Sequence, residues 1–211
     1  MSKYLTEFIG TFFLVLTIGC SVIGGAALPP LVIGAALIAM VYAGGHVSGA
    51  HYNPAVTLAV MMRGRCSVAD VIPYMISQIA GAVLAALAVG FVLPGDKIAM
   101  IKAIDLSKTI PQALLAEALF TFALAYVVLN VATAKANANN SFYGLAIGFT
   151  VLAGAFSVGS ISGGAFNPAV AVGISVLGLA SWANIWVYLI ADFAGAAAAA
   201  IVFKVINPED K

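Results

Sequence analysis

Charge is what this sequence has least of. Only 8% of its 211 residues are Asp, Glu, Lys or Arg, against about 25% in ordinary soluble domains. Apolar residues make up 63%, and mean hydropathy is +1.10. A soluble globular domain is thereby excluded, and an integral protein of the lipid bilayer is expected. Net charge is only +1, so there is no basic field for a nucleic-acid partner. Cysteine is nearly absent. Cys20 and Cys66 are too isolated for a disulfide framework or a zinc site, and each reads as a small buried apolar residue. No nucleophile–base pair or metal-ligand cluster stands out. The sequence therefore implies no enzyme, no metal and no cofactor.

Apolar runs are what it has instead. Membrane-spanning helices are expected near Tyr4–Gly24, Leu31–Gly44, Asp70–Leu93, Gln112–Thr133, Phe142–Val158 and Ser181–Ile206. The first begins almost at Met1 and is too long and too well continued for a cleaved signal peptide. The longest polar connection runs from Pro94 to Ile110 and carries Asp96, Lys97, Lys102, Asp105 and Lys108.

The chain says one phrase twice. Val47-Ser48-Gly49-Ala50-His51-Tyr52-Asn53-Pro54-Ala55-Val56 is answered by Ile161-Ser162-Gly163-Gly164-Ala165-Phe166-Asn167-Pro168-Ala169-Val170. Each phrase reads as a loop that turns into a short helix, capped by Asn with Pro at its first position. These half-helices are expected to end near Met62 and Leu177. Neither is long enough to span. A helix start leaves unpaired N–H groups and partial positive charge. Inside a membrane, irregular backbone is tolerated only where protein buries it or a wet cavity adjoins it. The two phrases are therefore the candidate site.

The repeat is wider than the phrase. Asn53 and Asn167 lie 114 residues apart, and the same offset pairs Gly34 with Gly148, Tyr74 with Tyr188, Gly81 with Gly195 and Gln78 with Asp192. At an offset of 110, Glu7 pairs with Glu117. A single transmembrane channel domain, 1–211, is expected: repeat one at about 1–93, a connection at about 94–110, and repeat two at about 111–206. Three spans per copy invert the second copy, so the Asn-capped ends should meet near the midplane. One face collects Lys3, Arg63, Arg65, Lys135, Lys204 and Lys211, the other Lys97, Lys102 and Lys108. Six against three favours both termini in the cytoplasm of a cell membrane.

The stretch Gly45-His46-Val47-Ser48-Gly49-Ala50-His51-Tyr52-Asn53-Pro54-Ala55-Val56-Thr57 resembles the signature of the aquaporin, or major intrinsic protein, family. The resemblance covers nearly the whole chain. It implies an all-α membrane protein of aquaporin-like fold: six transmembrane helices plus two half-helices in an inverted three-helix repeat. It also implies a passive channel for water, and in some branches glycerol or other small neutral solutes, that excludes protons and ions. Family members are usually homotetramers with one pore per subunit.

On that reading Asn53, Pro54, Ala55, Asn167, Pro168 and Ala169 form the pore centre. Each Asn amide can donate two hydrogen bonds to a passing water. Carbonyls of Gly45–Tyr52 and Gly159–Phe166 would supply acceptors along the path. Glu7 and Glu117, carboxylates inside apolar helices, are functional by default, and the resemblance makes them braces for the loops. Asp192 and Gln78 read the same way. His46 either braces or lines the pore. His51 reads as packing or loop bonding.

One departure stands out. Most family members carry Arg directly after the second Asn-Pro-Ala, where this chain has Val170. By position, the four-residue outer constriction becomes Ile33, Ala155, Gly164 and Val170, with no charge, ring or side-chain donor. A pore mainly for glycerol, urea, ammonia or dissolved gas is therefore an alternative to a water channel. An inverted-repeat secondary transporter is the alternative from another class. It would need a coupling-ion site, for which only Glu7, Glu117 and Asp192 are available within the membrane.

Overall fold

A computed structural model describes residues 1–210 of the chain. In order it forms α1 (Ser2–Gly24), α2 (Pro29–Ser48), α3 (Pro54–Met62), α4 (Val68–Val92), α5 (Gly95–Ala99) and α6 (Ile110–Val128). After these come α7 (Tyr143–Ser162), α8 (Pro168–Val176) and α9 (Ile185–Ile206). A π-helical segment, Leu129–Thr133, prolongs α6, and a 3₁₀ turn, Trp182–Asn184, precedes α9. Six of these helices are long and apolar enough to cross a membrane: α1, α2, α4, α6, α7 and α9. Helices α3 and α8 are the two half-helices.

Helices α2 and α7 run further than the sequence suggests. They continue through Gly45–Ser48 and Gly159–Ser162, which were expected to be extended loop. Each stops at a left-handed glycine, Gly49 at φ 85° and Gly163 at φ 96°, whose N–H closes the last turn onto the carbonyl of Gly45 or Gly159. Left-handed backbone costs glycine nothing, and that is where the helix can turn off. The irregular segments shrink to Gly49–Tyr52 and Gly163–Phe166, and fewer carbonyls are freed than the expectation required. The Pro94–Ile110 connection is also more ordered than a polar loop. It contains α5, buries Leu106 completely, and pairs Ile104 N–H with Leu179 O at 2.9 Å.

Small residues let the long helices touch. Helix α1 packs on α4 and α6 on α9, while α2 and α7 join the two halves. A Cβ added to Gly81 would strike the backbone of Phe8 and Phe12 on α1; one added to Gly195 would strike Ala118 and Phe122 on α6. Close backbone approach of this kind drives helix association where lipid offers no hydrophobic gain. The half-helices cross between halves, α3 against α9 and α8 against α4.

Helix α3 ends at one face and α8 at the other. The α3 end is tied by Arg63, whose side chain is only 2% exposed and bonds Asp210 at 2.6 Å over the ring of Phe203. Asp210 also accepts the Lys135 backbone N–H at 2.7 Å. The same face carries the Lys3–Asp70 ion pair, 2.7 Å. At the opposite face the Ile104 pairing holds the segment after α8.

Two outcomes follow. Gly81→Ala or Gly195→Ala should lower stability by about 1–3 kcal/mol through overpacking at the crossing, read as a lower thermal midpoint in detergent. Unchanged midpoints would mean the helices separate freely. The hydrogen bond from Lys135 N–H, with Arg63 beside it, holds the Asp210 carboxyl below the usual carboxylate range. A depressed carboxyl contributes stability at neutral pH that is lost as pH falls through its folded value. Asp210→Asn should therefore lower the midpoint at neutral pH and flatten its decline in acid, measured by thermal unfolding across pH.

Candidate functional site

Both half-helices begin with the same cap. Asn53 Oδ1 accepts the N–H groups of Ala55 and Val56 at 2.8 and 3.3 Å, and Asn167 Oδ1 accepts those of Ala169 and Val170 at 2.9 and 3.4 Å. Pro54 and Pro168 occupy the first helical positions. Each amide nitrogen then crosses to the other loop. Asn53 Nδ2 donates to Phe166 O at 2.8 Å, and Asn167 Nδ2 donates to Tyr52 O at 2.9 Å. The expectation of two free donors per Asn is thus corrected. One N–H of each amide straps the loops together, because Tyr52 and Phe166 carbonyls would otherwise be unpaired in a buried place. One N–H per Asn remains.

The loops are held from behind by buried carboxylates. Glu7 Oε1 accepts Ser48 Oγ–H at 2.7 Å and His51 N–H at 2.9 Å, while Oε2 accepts Tyr52 N–H at 2.6 Å and Gln78 Nε2–H at 2.8 Å. Glu117 Oε1 accepts Ser162 Oγ–H at 2.5 Å and Ala165 N–H at 3.0 Å, and Oε2 accepts Phe166 N–H at 2.6 Å. Tyr74 and Tyr188 hydroxyls cap the ends of α2 and α7 by donating to Ser48 O and Ser162 O. Such bonds hold non-glycine residues in the left-handed region: Ala50 at φ 52°, Tyr52 at 48° and Phe166 at 49°. Strain of this sort costs about 1–3 kcal/mol per residue and persists only when its surroundings over-determine it.

Two cavities adjoin these loops. A narrow one of about 80 Å³ is lined by Asn53, Asn167, Ile33, Ala155, Gly164 and Val170, together with Leu, Ile and Val side chains of α1, α2, α6 and α7. The six polar and constriction residues singled out in the sequence are thereby brought around one space. Gly164, at φ 64°, sits so close that an added Cβ would lie 3.2 Å from Gly159 Cα and 3.6 Å from Ala155 Cα. A wider cavity of about 740 Å³ opens at the face with Lys3, Arg65 and Lys135, and His46 lines it. His46 is exposed and makes no side-chain hydrogen bond among the described residues, so it lines without bracing. Pro54, Ala55, Pro168 and Ala169 are buried in the helix starts.

His51 carries more than the sequence suggested. The residue lines both cavities, and its Nδ1 lies 3.1 Å from Thr57 Oγ1. Ala165 takes its place in the second phrase, so the imidazole has no counterpart. Thr57, to which the sequence assigns no role, accepts Gln78 Nε2–H at 3.0 Å. Only its position one helical turn past Asn53 marked it. Cys20 and Cys66 are free and half-buried.

The arrangement has a simple electrostatic reading. Two helix starts face one another across a narrow apolar space, each adding roughly half a positive charge. One amide N–H on each side remains as a donor. Apart from His51 and the loop backbone the wall is hydrocarbon, suited to an uncharged molecule.

Known proteins bear on this geometry. The family model described as major intrinsic protein matches residues 1–203. The chain is 36% identical to "Glycerol uptake facilitator protein-like 6" of Lactiplantibacillus plantarum over the whole of both chains. It is also 36% identical to "Aquaporin NIP1-4" of Oryza sativa subsp. japonica, over 98% of this chain and 77% of that one. An aquaglyceroporin from Plasmodium falciparum, solved by X-ray crystallography, shares the fold. Its TM-score is 0.80, with 22% identity over 99% of this chain and 97% of that one. With six membrane-crossing helices, two half-helices and a family match along nearly its full length, the chain belongs to the major intrinsic protein family and is a passive membrane channel, not an enzyme.

Proposed function

We propose that the chain conducts water together with small neutral solutes, and that its path runs between Asn53 and Asn167. The observation that carries this reading is the narrow cavity shared by the two Asn residues and by Ile33, Ala155, Gly164 and Val170. Each Asn holds one free N–H toward a molecule in single file, while the paired positive helix ends oppose cations and hydronium. Carbonyls of Gly49–His51 and Gly163–Ala165 supply the acceptors, those of Tyr52 and Phe166 being taken by the Asn straps. Glu7 and Glu117 hold the loops, and His46 lines the entrance at the face bearing Lys3.

The finer selectivity leans toward solutes. Loss of the Arg seen in most of the family removes a fixed positive charge and up to five donors. Ala155 and Gly164 leave room. Water entering such a ring loses hydrogen bonds that nothing replaces, while a small solute loses a steric and electrostatic barrier. The names of two relatives, a glycerol uptake facilitator and an aquaporin, are compatible with both cargoes. A pore mainly for glycerol, urea, ammonia or gas is the second reading, favoured by the apolar constriction. A homotetramer with one pore per subunit and cytoplasmic termini, in a cell membrane, completes the proposal. Linear, unsaturated flux without ion dependence would separate this channel from a coupled transporter.

Stopped-flow light scattering of proteoliposomes tests two variants. Asn53→Asp and Asn167→Asp place a carboxylate between the helix starts and remove the amide strap. Water permeability should fall and a cation leak should appear. A folded double variant with wild-type water flux and full ion exclusion would take the Asn pair out of this role. Val170→Arg should restore charge and donors to the outer ring. The solute-to-water permeability ratio, read with glycerol and urea, should drop roughly fivefold, the effect of about 1 kcal/mol on a barrier. An unchanged or raised ratio would show that Val170 does not line the constriction.

A further inference from the structure

We propose that Asp192 is a neutral carboxylic acid whose proton bonds Glu117, making Asp192 a positioning residue for the second Asn-Pro-Ala loop. The argument starts from a mismatch between the two halves. In the first, Gln78 Nε2 donates to Glu7 Oε2 at 2.8 Å and to Thr57 Oγ1 at 3.0 Å. The second half has Asp192 in place of Gln78 and Ala171 in place of Thr57. An amide that donates has become a carboxyl that, when ionised, only accepts.

The surroundings leave that carboxyl short of a donor. Asp192 is fully buried; Oδ1 accepts Thr121 Oγ1–H at 3.0 Å, and Oδ2 has no partner. Thr121 has been re-aimed for this, since its counterpart Thr11 bonds the carbonyl of Glu7 on its own helix. Thr121 stands one helical turn past Glu117 on α6, so its bond to Asp192 sets the two carboxyls beside one another, as Gln78 is set beside Glu7 in the first half. Glu117 Oε2 accepts Phe166 N–H alone, where Glu7 Oε2 accepts two donors. A hydrogen shared between the two carboxyls would take the place that Gln78 Nε2–H holds on Glu7 in the first half.

The Asn167 N–H also approaches Asp192 but closes no bond to Oδ2, and no cation among the described residues is at hand. Helices α3, α6 and α8 pack on α9. Neither α3 nor α8 carries a titratable side chain, and α6 brings only Glu117 and Tyr126. On α9 itself Tyr188 is committed to Ser162 O at 2.6 Å. No ion pair among the described residues reaches Asp192. Two ionised carboxylates in contact away from water, with no cation, repel strongly and lose hydration on both. A single proton between them removes one charge and turns the repulsion into a hydrogen bond. Glu117 accepts from Ser162, Ala165 and Phe166, so it is the better-solvated anion and the proton resides on Asp192. From there the path is short: Glu117 holds Phe166 N–H, and Phe166 O receives the Asn53 amide at 2.8 Å.

The functional half of this claim rests on the pore reading above; the proton does not. Infrared spectroscopy of the reconstituted channel at neutral pH should show the C=O stretch of a neutral carboxylic acid, above the amide band. Asp192→Asn, which supplies an N–H of nearly the same shape, should abolish that band and keep water permeability within about twofold, whereas Asp192→Leu should lose roughly fivefold or more because Glu117 is left without its donor. A band absent from the wild type, or one persisting in Asp192→Asn, would overturn the proton's placement. Asp192→Asn impaired as severely as Asp192→Leu would overturn the positioning role. If Asp192→Leu does not fold, the band and the Asn variant's permeability against wild type still decide.

Discussion

A chain that breaks a helix inside a bilayer must satisfy every freed backbone group from its own atoms. This fold meets that demand twice with one device. Asn53 and Asn167 take up N–H groups at the starts of α3 and α8. Glu7 and Glu117 take up the N–H groups of the two loops. The carbonyls of Tyr52 and Phe166 are satisfied by the opposite Asn. Neither loop can move without unstrapping the other. What remains after this accounting is one amide N–H on each Asn and the carbonyls of Gly49–His51 and Gly163–Ala165, beside a largely apolar cavity. The candidate site is therefore the residue of a structural problem that has otherwise been solved.

That economy explains how much could be read from the sequence. Apolar runs, Asn-Pro starts and the internal offset were legible because they are local patterns of length, capping and spacing. The extent of α2 and α7 was not. Gly45 and Gly159 look like loop residues, yet in a membrane helix glycine is a contact surface, and the break waits for the left-handed Gly49 and Gly163. The cross-strap was illegible for another reason. Asn53 and Phe166 are 113 residues apart, and only the folded geometry tells which carbonyl an amide finds. The clamp on Arg63 by Asp210, 147 residues away, is of the same kind.

The two copies also diverge where sequence alone gives little warning. The first loop is backed by Thr57, Gln78 and His51, which are linked by hydrogen bonds through Thr57 Oγ1 and leave Gln78 Oε1 unpartnered. Their counterparts are Ala171, Asp192 and Ala165. Taken singly, each change looks like drift. Together they replace donors by methyl groups and an acid around a second buried carboxylate. Thr121 turns from its own helix toward Asp192 as part of the same rearrangement. The inverted repeat is thus symmetric in backbone and unequal in electrostatics, and the half with the apolar phrase is also the half that lacks the family's Arg.

Without that Arg, ion exclusion in the proposed pore has to come from the centre and from the wall. Two helix starts together present about one positive charge. At roughly 4 Å and an effective dielectric near 20, that opposes a monovalent cation by on the order of 4 kcal/mol, about a thousandfold. The wall adds a second barrier that does not depend on sign. An ion passing Ile33, Ala155, Gly164 and Val170 gives up hydration with no polar side chain to replace it, and the cost of burying a bare charge far exceeds that of burying a hydroxyl. A neutral solute loses only a few hydrogen bonds there. The same apolar ring that weakens discrimination among uncharged molecules therefore strengthens the discrimination between charged and uncharged ones. That is how a channel can dispense with a fixed charge at its constriction and still be expected to hold back ions.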